Sequence, residues 1–292
     1  MPKSGRPHAC PRASTPAAAH ATAPTTATKP ATRLTIDTPK ETPFYRAGAA
    51  AGHGSTRRFP GATLGAVASH PGSPVVPKPR PSTALAARLG LSPASAARLG
   101  SLRTPARIQD FVNRLRWNHE RNGPTARSVN EVLRHGEAHC VEGALVAACA
   151  LSLAGDPPLL MDMGAARGDV DHVVALFRRG GHWGAISKSN SPFLRHRDPI
   201  YRSLRELALS FFPQYVKKRR KTLRTYSVAV DLRRHDPALW VGNPGFCREL
   251  VDALTAARHF DILPPGMADS LRPIDEIEAR SNLLRDHDPR ER

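Results

Sequence analysis

The sequence predicts an α+β domain behind a long low-complexity tail, and three observations carry that reading. Residues 141–154 form an almost uncharged run of helix formers, and a helix apolar on all sides is a buried one. Two apolar runs, 172–177 and 182–187, flank Arg179-Gly180-Gly181, a hairpin signal. Composition is also divided. Residues 1–100 hold 15 of the 28 prolines, 2 of the 25 acidic residues and 3 of the 16 aromatics. Such a segment buries too little apolar surface to offset its ordering entropy and is expected to be a disordered Pro/Ala/Thr-rich tail, leaving 101–292 as the working domain.

The elements follow in order. The echo of Ala86-Ala87-Arg88-Leu89-Gly90 in Ala96-Ala97-Arg98-Leu99-Gly100 reads as two short helical turns, each stopped by glycine. Thr104-Pro105 is an N-cap followed by proline at the first helical position, and Ile108, Phe111, Val112 and Leu115 make one apolar stripe. That helix should end at Asn122-Gly123-Pro124. Ser128 and Glu131 have capping-box spacing before a short helix to Leu133. The buried helix runs from Val141 to Ala154 and stops at Gly155-Asp156-Pro157-Pro158. Strands are expected at Leu159–Met163, His172–Phe177, His182–Ser187 and Thr225–Leu232, with helices at Pro199–Phe212, Phe246–Phe260 and Pro273–Leu284. Antiparallel pairing after a buried helix implies α+β architecture.

The formal charge of +18 suggests a nucleic-acid partner, but its distribution argues against one as the main function. The tail carries 13 basic against 2 acidic residues, while 101–292 carries 30 against 23. Arginine outnumbers lysine 35 to 8, as a GC-rich coding bias produces. The run Lys217-Lys218-Arg219-Arg220-Lys221 reads as a solvated loop, with nucleic-acid contact as the alternative because Phe211, Phe212 and Tyr215 lie beside it. Cys10, Cys140, Cys149 and Cys247 show no CxxC pairing, so a disulfide scaffold is not expected and a reducing cytoplasm is the simplest setting. No stretch of 18 apolar residues exists, so no membrane span is expected.

Cys140 is the sharpest chemical feature. It sits at the start of the buried helix, where unpaired N–H groups and the positive end of the dipole favour a thiolate. His172 opens a strand 32 residues on, placed to serve as general base. The bland alternatives are a buried structural cysteine and a loop-edge histidine. His135 and His139 sit at i and i+4, but Gly136 opposes a helix there and no glutamate is placed as a zinc-protease motif needs. Neither a metal nor another cofactor is expected. Cys149 reads as core; Cys247 opens a later helix without a histidine partner.

Three runs taken together carry a resemblance: Glu137-Ala138-His139-Cys140-Val141-Glu142-Gly143-Ala144-Leu145, Asp171-His172-Val173-Val174-Ala175-Leu176-Phe177, and Trp183-Gly184-Ala185-Ile186-Ser187-Lys188-Ser189-Asn190. Over about 105–235 the chain resembles the transglutaminase-like superfamily of cysteine hydrolases and acyltransferases, within it an uncharacterised bacterial branch. The resemblance implies a papain-like core and a Cys, His, Asp triad, matched here by Cys140 and His172. The third member departs from the pattern. Four residues after Trp183 stands Ser187, and the next acid is Asp198. Asn190 is the expected orienter of the imidazole through its side-chain carbonyl, as in papain-like proteases, with Ser187 the weaker candidate. The implied activity is acyl transfer from a peptide or amide to water or an amine. A binding-only relative that keeps the fold is the alternative.

Overall fold

Five antiparallel strands form the sheet that organises the domain: β1 (Leu159–Met163), β2 (His172–Arg179), β3 (His182–Ile186), β4 (Arg197–Tyr201) and β5 (Val230–Asp231), in the order β5-β1-β2-β3-β4. The computed structural model of the chain describes residues 83–286. The helices are α1 (Thr83–Arg88), α2 (Pro93–Gly100), α3 (Pro105–Arg114), α4 (Val129–His135), α5 (Cys140–Leu153), α6 (Leu204–Phe211), α7 (Pro237–Trp240), α8 (Arg248–Ala256) and α9 (Glu276–Ser281).

Both faces of the sheet are covered, and strand alternation divides the core in two. Leu160, Val173, Ala175, Phe177 and Ile186 face α5 and its surrounding helices. Met161, Met163, Val174, Leu176 and Ala185 face α6, where Leu207, Phe211, Tyr215, Leu223 and Ile262 complete the second cluster. Burial on both sides explains why β1 and β2 read as nearly continuous apolar runs. The β2–β3 turn is Gly180-Gly181, both at positive φ (+54° and +80°). That is the two-residue turn whose twist matches a hairpin. It sets Arg179 opposite His182 and Ala175 opposite Ile186.

α5 lies between this sheet and α2, α3 and α4. From Val141 to Ala150 every residue is buried. Two of them are not inert filler. Glu142 is a fully buried carboxylate. Gly143 lets the segment after β3 approach: a Cβ there would lie 2.3 Å from Lys188 Cβ. Lys188, itself buried, reaches across α5 and donates to the carbonyls of Leu115 and Asn113 (3.3 Å to the latter) at the end of α3. A cation is favoured at that helix terminus. Gly143→Ala should therefore destabilise the domain by about 1–3 kcal/mol through overpacking. A urea midpoint unchanged from wild type would contradict this.

Several expectations are corrected. α1 and α2, expected as turns within the tail, pack on the domain and bury Ala86, Leu89 and Leu99 in the main core. Gly90 stops α1 with φ +73°, whereas Gly100 is the last residue of α2 rather than its stop. The remainder of the expected disordered tail, residues 1–82, lies outside the described residues. α3 ends at Arg114, not at 122: Leu115 turns extended, and Arg116-Trp117 pairs in parallel with Glu137-Ala138. The helix expected from Pro199 starts at Leu204, capped by Ser203. Arg197–Tyr201 is instead an edge strand, where a proline costs no ladder bond. The strand expected over 225–232 is two strands in different sheets. Ser227 Oγ accepts from Asp162 N (2.9 Å) and donates to Val228 O (2.8 Å), bending the chain between them. Thr225–Ser227 pairs with His259–Asp261, and β5 pairs with β1. α8 is shorter than the expected 246–260 because that strand begins at His259.

Candidate active site

Cys140 is the first residue of α5 and is half-buried in a pocket of about 290 Å³ that also takes in His139, His172, Trp117, Tyr215 and Asn190. Two imidazoles flank its sulfur. His139 Nδ1 lies 3.8 Å from Sγ, the thiol reaches Asp171 O (3.9 Å), and His172, the next residue, opens β2 on the wall of the same pocket. Burial opposes ionisation of the thiol. Hydrogen bonds from His139 and His172, and their charges, outweigh it and bring the pKa down from 9.0 to about 5. Cys149 and Cys247 behave as core thiols, pushed up by burial to about 12 and about 11. Cys140, Cys149 and Cys247 are all unpaired with one another.

His172 opens β2 on the face packed against α6, its ring 6.4 Å from that of Phe211 and 6.5 Å from that of Tyr215. Its Nε2 lies 2.7 Å from Ser187 Oγ. Ser187 spends its own proton on Leu194 O (2.8 Å), so its oxygen accepts from Nε2–H. This fixes the neutral ring with Nδ1 unprotonated. Ser187 is held in turn by Gln109, which accepts from Ser187 N (3.0 Å) and donates to Ser187 O (2.8 Å). The orienting contact expected from Asn190 is thus made by Ser187. Asn190 lies past the end of β3 on the pocket wall, where its backbone carbonyl accepts from Asp286 N (3.0 Å). Asp171 and Asp169, the acids before His172, serve the loop: Asp171 Oδ1 accepts from Ala165 N, and Asp169 Oδ2 from Thr222 Oγ1.

His139 is the N-cap of α5, and its Nε2 faces three oxygens: Thr125 O (2.9 Å), Glu142 Oε1 (3.5 Å) and Glu120 Oε1 (3.6 Å). Burial alone would lower its pKa. The hydrogen bond and charge of Cys140, and the charges of Glu142 and Glu120, raise it instead to about 9. Glu142 accepts from Thr125 Oγ1 (2.8 Å), Asn118 Nδ2, Arg127 N and His139 N (3.0 Å each). His135 turns elsewhere, to Glu131 (3.6 Å), so the i, i+4 histidines do not converge. Among the described residues no group of three or more His, Cys, Asp or Glu could hold a metal ion.

Sequence reasoning passed over Glu142 and Gln109. Their signals were a lone acid inside an apolar helix and an amide directly after Ile108 on the apolar stripe of α3. The basic run 217–221 forms a small hairpin turning on Lys218 and Arg219 at positive φ. Its cations hold the C-terminal segment: Arg219 Nε donates to Ile274 O and Lys221 Nζ to Arg272 O, both at 3.0 Å. Arg220 pairs with Asp269 and Lys217 with Asp169. Among the described residues, no helix is long and apolar enough to cross a membrane. In comparisons with known proteins, no family model and no curated protein matches the chain.

Proposed function

We propose that this protein is a cysteine-dependent acyl-transfer enzyme of the transglutaminase-like type, a hydrolase or acyltransferase acting on a peptide or amide carbonyl. The observation that carries the reading is the arrangement around one sulfur. The Cys140 thiol opens a buried helix beside His139 and shares its pocket with His172, whose far nitrogen is fixed by Ser187. Lowered thiol pKa and an oriented base are the two ways a cysteine nucleophile is activated.

The Cys140 thiolate attacks the acyl carbon, and the C–N bond breaks as His172 imidazolium gives its proton to the leaving amine. A thioester on Sγ results. Neutral His172 then takes a proton from water or an acceptor amine through Nδ1, the incoming atom bonds to the acyl carbon, and the C–S bond breaks to restore the thiolate. The Cys140 N–H, in the first turn of α5, lacks an intrahelical acceptor and is suited to the tetrahedral oxyanion. Ser187 is neutral, so it orients the ring without the added stabilisation a carboxylate gives the imidazolium.

p-Nitrophenyl acetate at pH 6 tests this. At that pH ordinary thiols, with pKa of about 8.5, are protonated and slow. A burst of nitrophenolate with an acetyl group on the Cys140 peptide is expected, absent from Cys140→Ala. No acetylation of Cys140 above the level of Cys149 would overturn the proposal and leave an interaction protein that keeps the catalytic shape without the chemistry.

A further inference from the structure

We infer that His139 is a second catalytic imidazole, a fixed cation held by Glu142 and Glu120 that keeps Cys140 ionised independently of the protonation of His172. This rests on the acyl-transfer reading and deepens it. Every acceptor around His139 is on one side of the ring. Thr125 O, Glu142 Oε1 and Glu120 Oε1 surround Nε2, so Nε2 must carry a proton, and Nδ1 is the nitrogen that faces Sγ. Against a sulfur anion Nδ1 is satisfied as a donor, and the ring is then an imidazolium; the Glu142 backbone N–H that closes the capping box on this side chain is the competing donor.

The elements packed around it supply the matching charge. Glu142 comes from the first turn of α5 and is fully buried; Glu120 comes from the loop after Trp117 and is partly exposed. The other charged groups close by are Cys140 itself, His172 from β2, Asp169 and Asp171 from the loop before it, Arg285 on the pocket wall, and the Arg127–Glu137 pair (2.9 Å), whose Arg127 reaches Glu142 only through its backbone N–H. Among the described residues no carboxylate pairs with His172; its far nitrogen meets the Ser187 hydroxyl.

The two rings therefore divide the work. His139 holds a proton that never leaves, and His172 shuttles one. In a simple Cys–His pair the thiolate loses its counter-ion whenever the histidine gives up its proton. Here it does not. After the amine departs with the His172 proton, His139 still favours sulfur as an anion, which eases the collapse of the second tetrahedral intermediate toward thiolate.

Iodoacetamide labelling of the Cys140 peptide across pH, in wild type, His172→Ala, His139→Gln and the double variant, separates the roles. Cys149 labelling reports whether the core has opened. The wild-type midpoint is expected near 5. His172→Ala should keep it at least one unit below the ordinary value of about 8.5, His139→Gln should raise it by a unit or more, and the double variant should reach about 8.5. If His172→Ala alone moves the midpoint to about 8.5 while His139→Gln leaves it at the wild-type value, the role assigned to His139 is wrong and the acyl-transfer reading stands. If the wild-type midpoint is itself near 8.5, both fail. Should His139→Gln open the core, Glu120→Gln replaces it. That change removes a rim carboxylate 3.6 Å from Nε2, should raise the midpoint, and counts against the inference if it does not.

Discussion

In His172→Ala, acetylation of Cys140 by p-nitrophenyl acetate should persist while hydrolysis of the resulting thioester slows by about 10²–10⁴-fold, the range of a positioned general base. The split follows from the geometry. Attack on an activated ester needs a thiolate but no proton for the nitrophenolate, and His139 remains against Sγ to favour the thiolate. Deacylation needs a base at the nitrogen that Ser187 leaves unprotonated, and only His172 has one. Acetyl-Cys140 should therefore accumulate in the variant and turn over in wild type, read by peptide mass spectrometry after a single addition of ester. Equal turnover in both would remove His172 from the chemistry. Ser187→Ala should show the same pattern more weakly, because the ring keeps its packing against Phe211 and Tyr215 and loses only its tether.

The parts of this site that were legible in the sequence are those where residue type alone carries the chemistry. Cys140 announced itself by standing at the junction of a polar segment and an apolar helix, and His172 by opening a strand. Ser187 was harder to choose over Asn190, because the choice depends on pleat rather than on residue type. Ile186 faces α5, so the next residue turns to the opposite face, where His172 lies. Asn190 is three residues further, beyond the strand. Asparagine is the better orienter chemically, and position overruled chemistry. Glu142 and Gln109 escaped because a polar residue within an apolar run looks like noise until its partners are known.

The fold shows the same division. α5, β1 and the β2–β3 hairpin could be read because their burial is continuous and their stops are Gly or Pro. β4 was hidden because it is an edge strand: its burial alternates, but Pro199 lies within it and Ile200 is two-thirds exposed, so the residue types do not follow the alternation. α1 and α2 were assigned to the tail on composition. Alanine-rich turns carry few large apolar residues, yet Leu89 and Leu99 suffice to dock them.

Replacing Glu142 by Leu should cost about 3–5 kcal/mol, a large share of the 5–15 kcal/mol that holds a domain folded. Leucine matches the carboxylate in bulk, so the loss is electrostatic. Four donors, from Thr125, Asn118, Arg127 and His139, end on this one carboxylate inside the core. Each unpaired buried donor costs about 1–3 kcal/mol, moderated where the loop over residues 118–127 relaxes toward water. The His139 cation would keep only Glu120, at the rim. Urea unfolding at pH 7 measures the loss, and a change below about 1 kcal/mol would mean the carboxylate is not the hub the geometry makes it. The pH dependence has a definite sign. Burial pushes the Glu142 pKa up, but the His139 charge and the bonds from Asn118, Arg127 and His139 outweigh it and hold it below the ordinary value. A carboxylate depressed in the fold contributes its full stability above the unfolded pKa of about 4.3 and loses it as pH falls through the folded value. His139, raised by the same carboxylate, contributes its full share only below the unfolded imidazole pKa of about 6.5, so the gap in stability between wild type and Glu142→Leu should grow as pH falls from neutral to about 6, stay level to about pH 5 and close below that. A gap that instead widened below about pH 5 would show that the folded protein prefers this carboxyl protonated, and would take the anion out of the network that holds His139 against the sulfur.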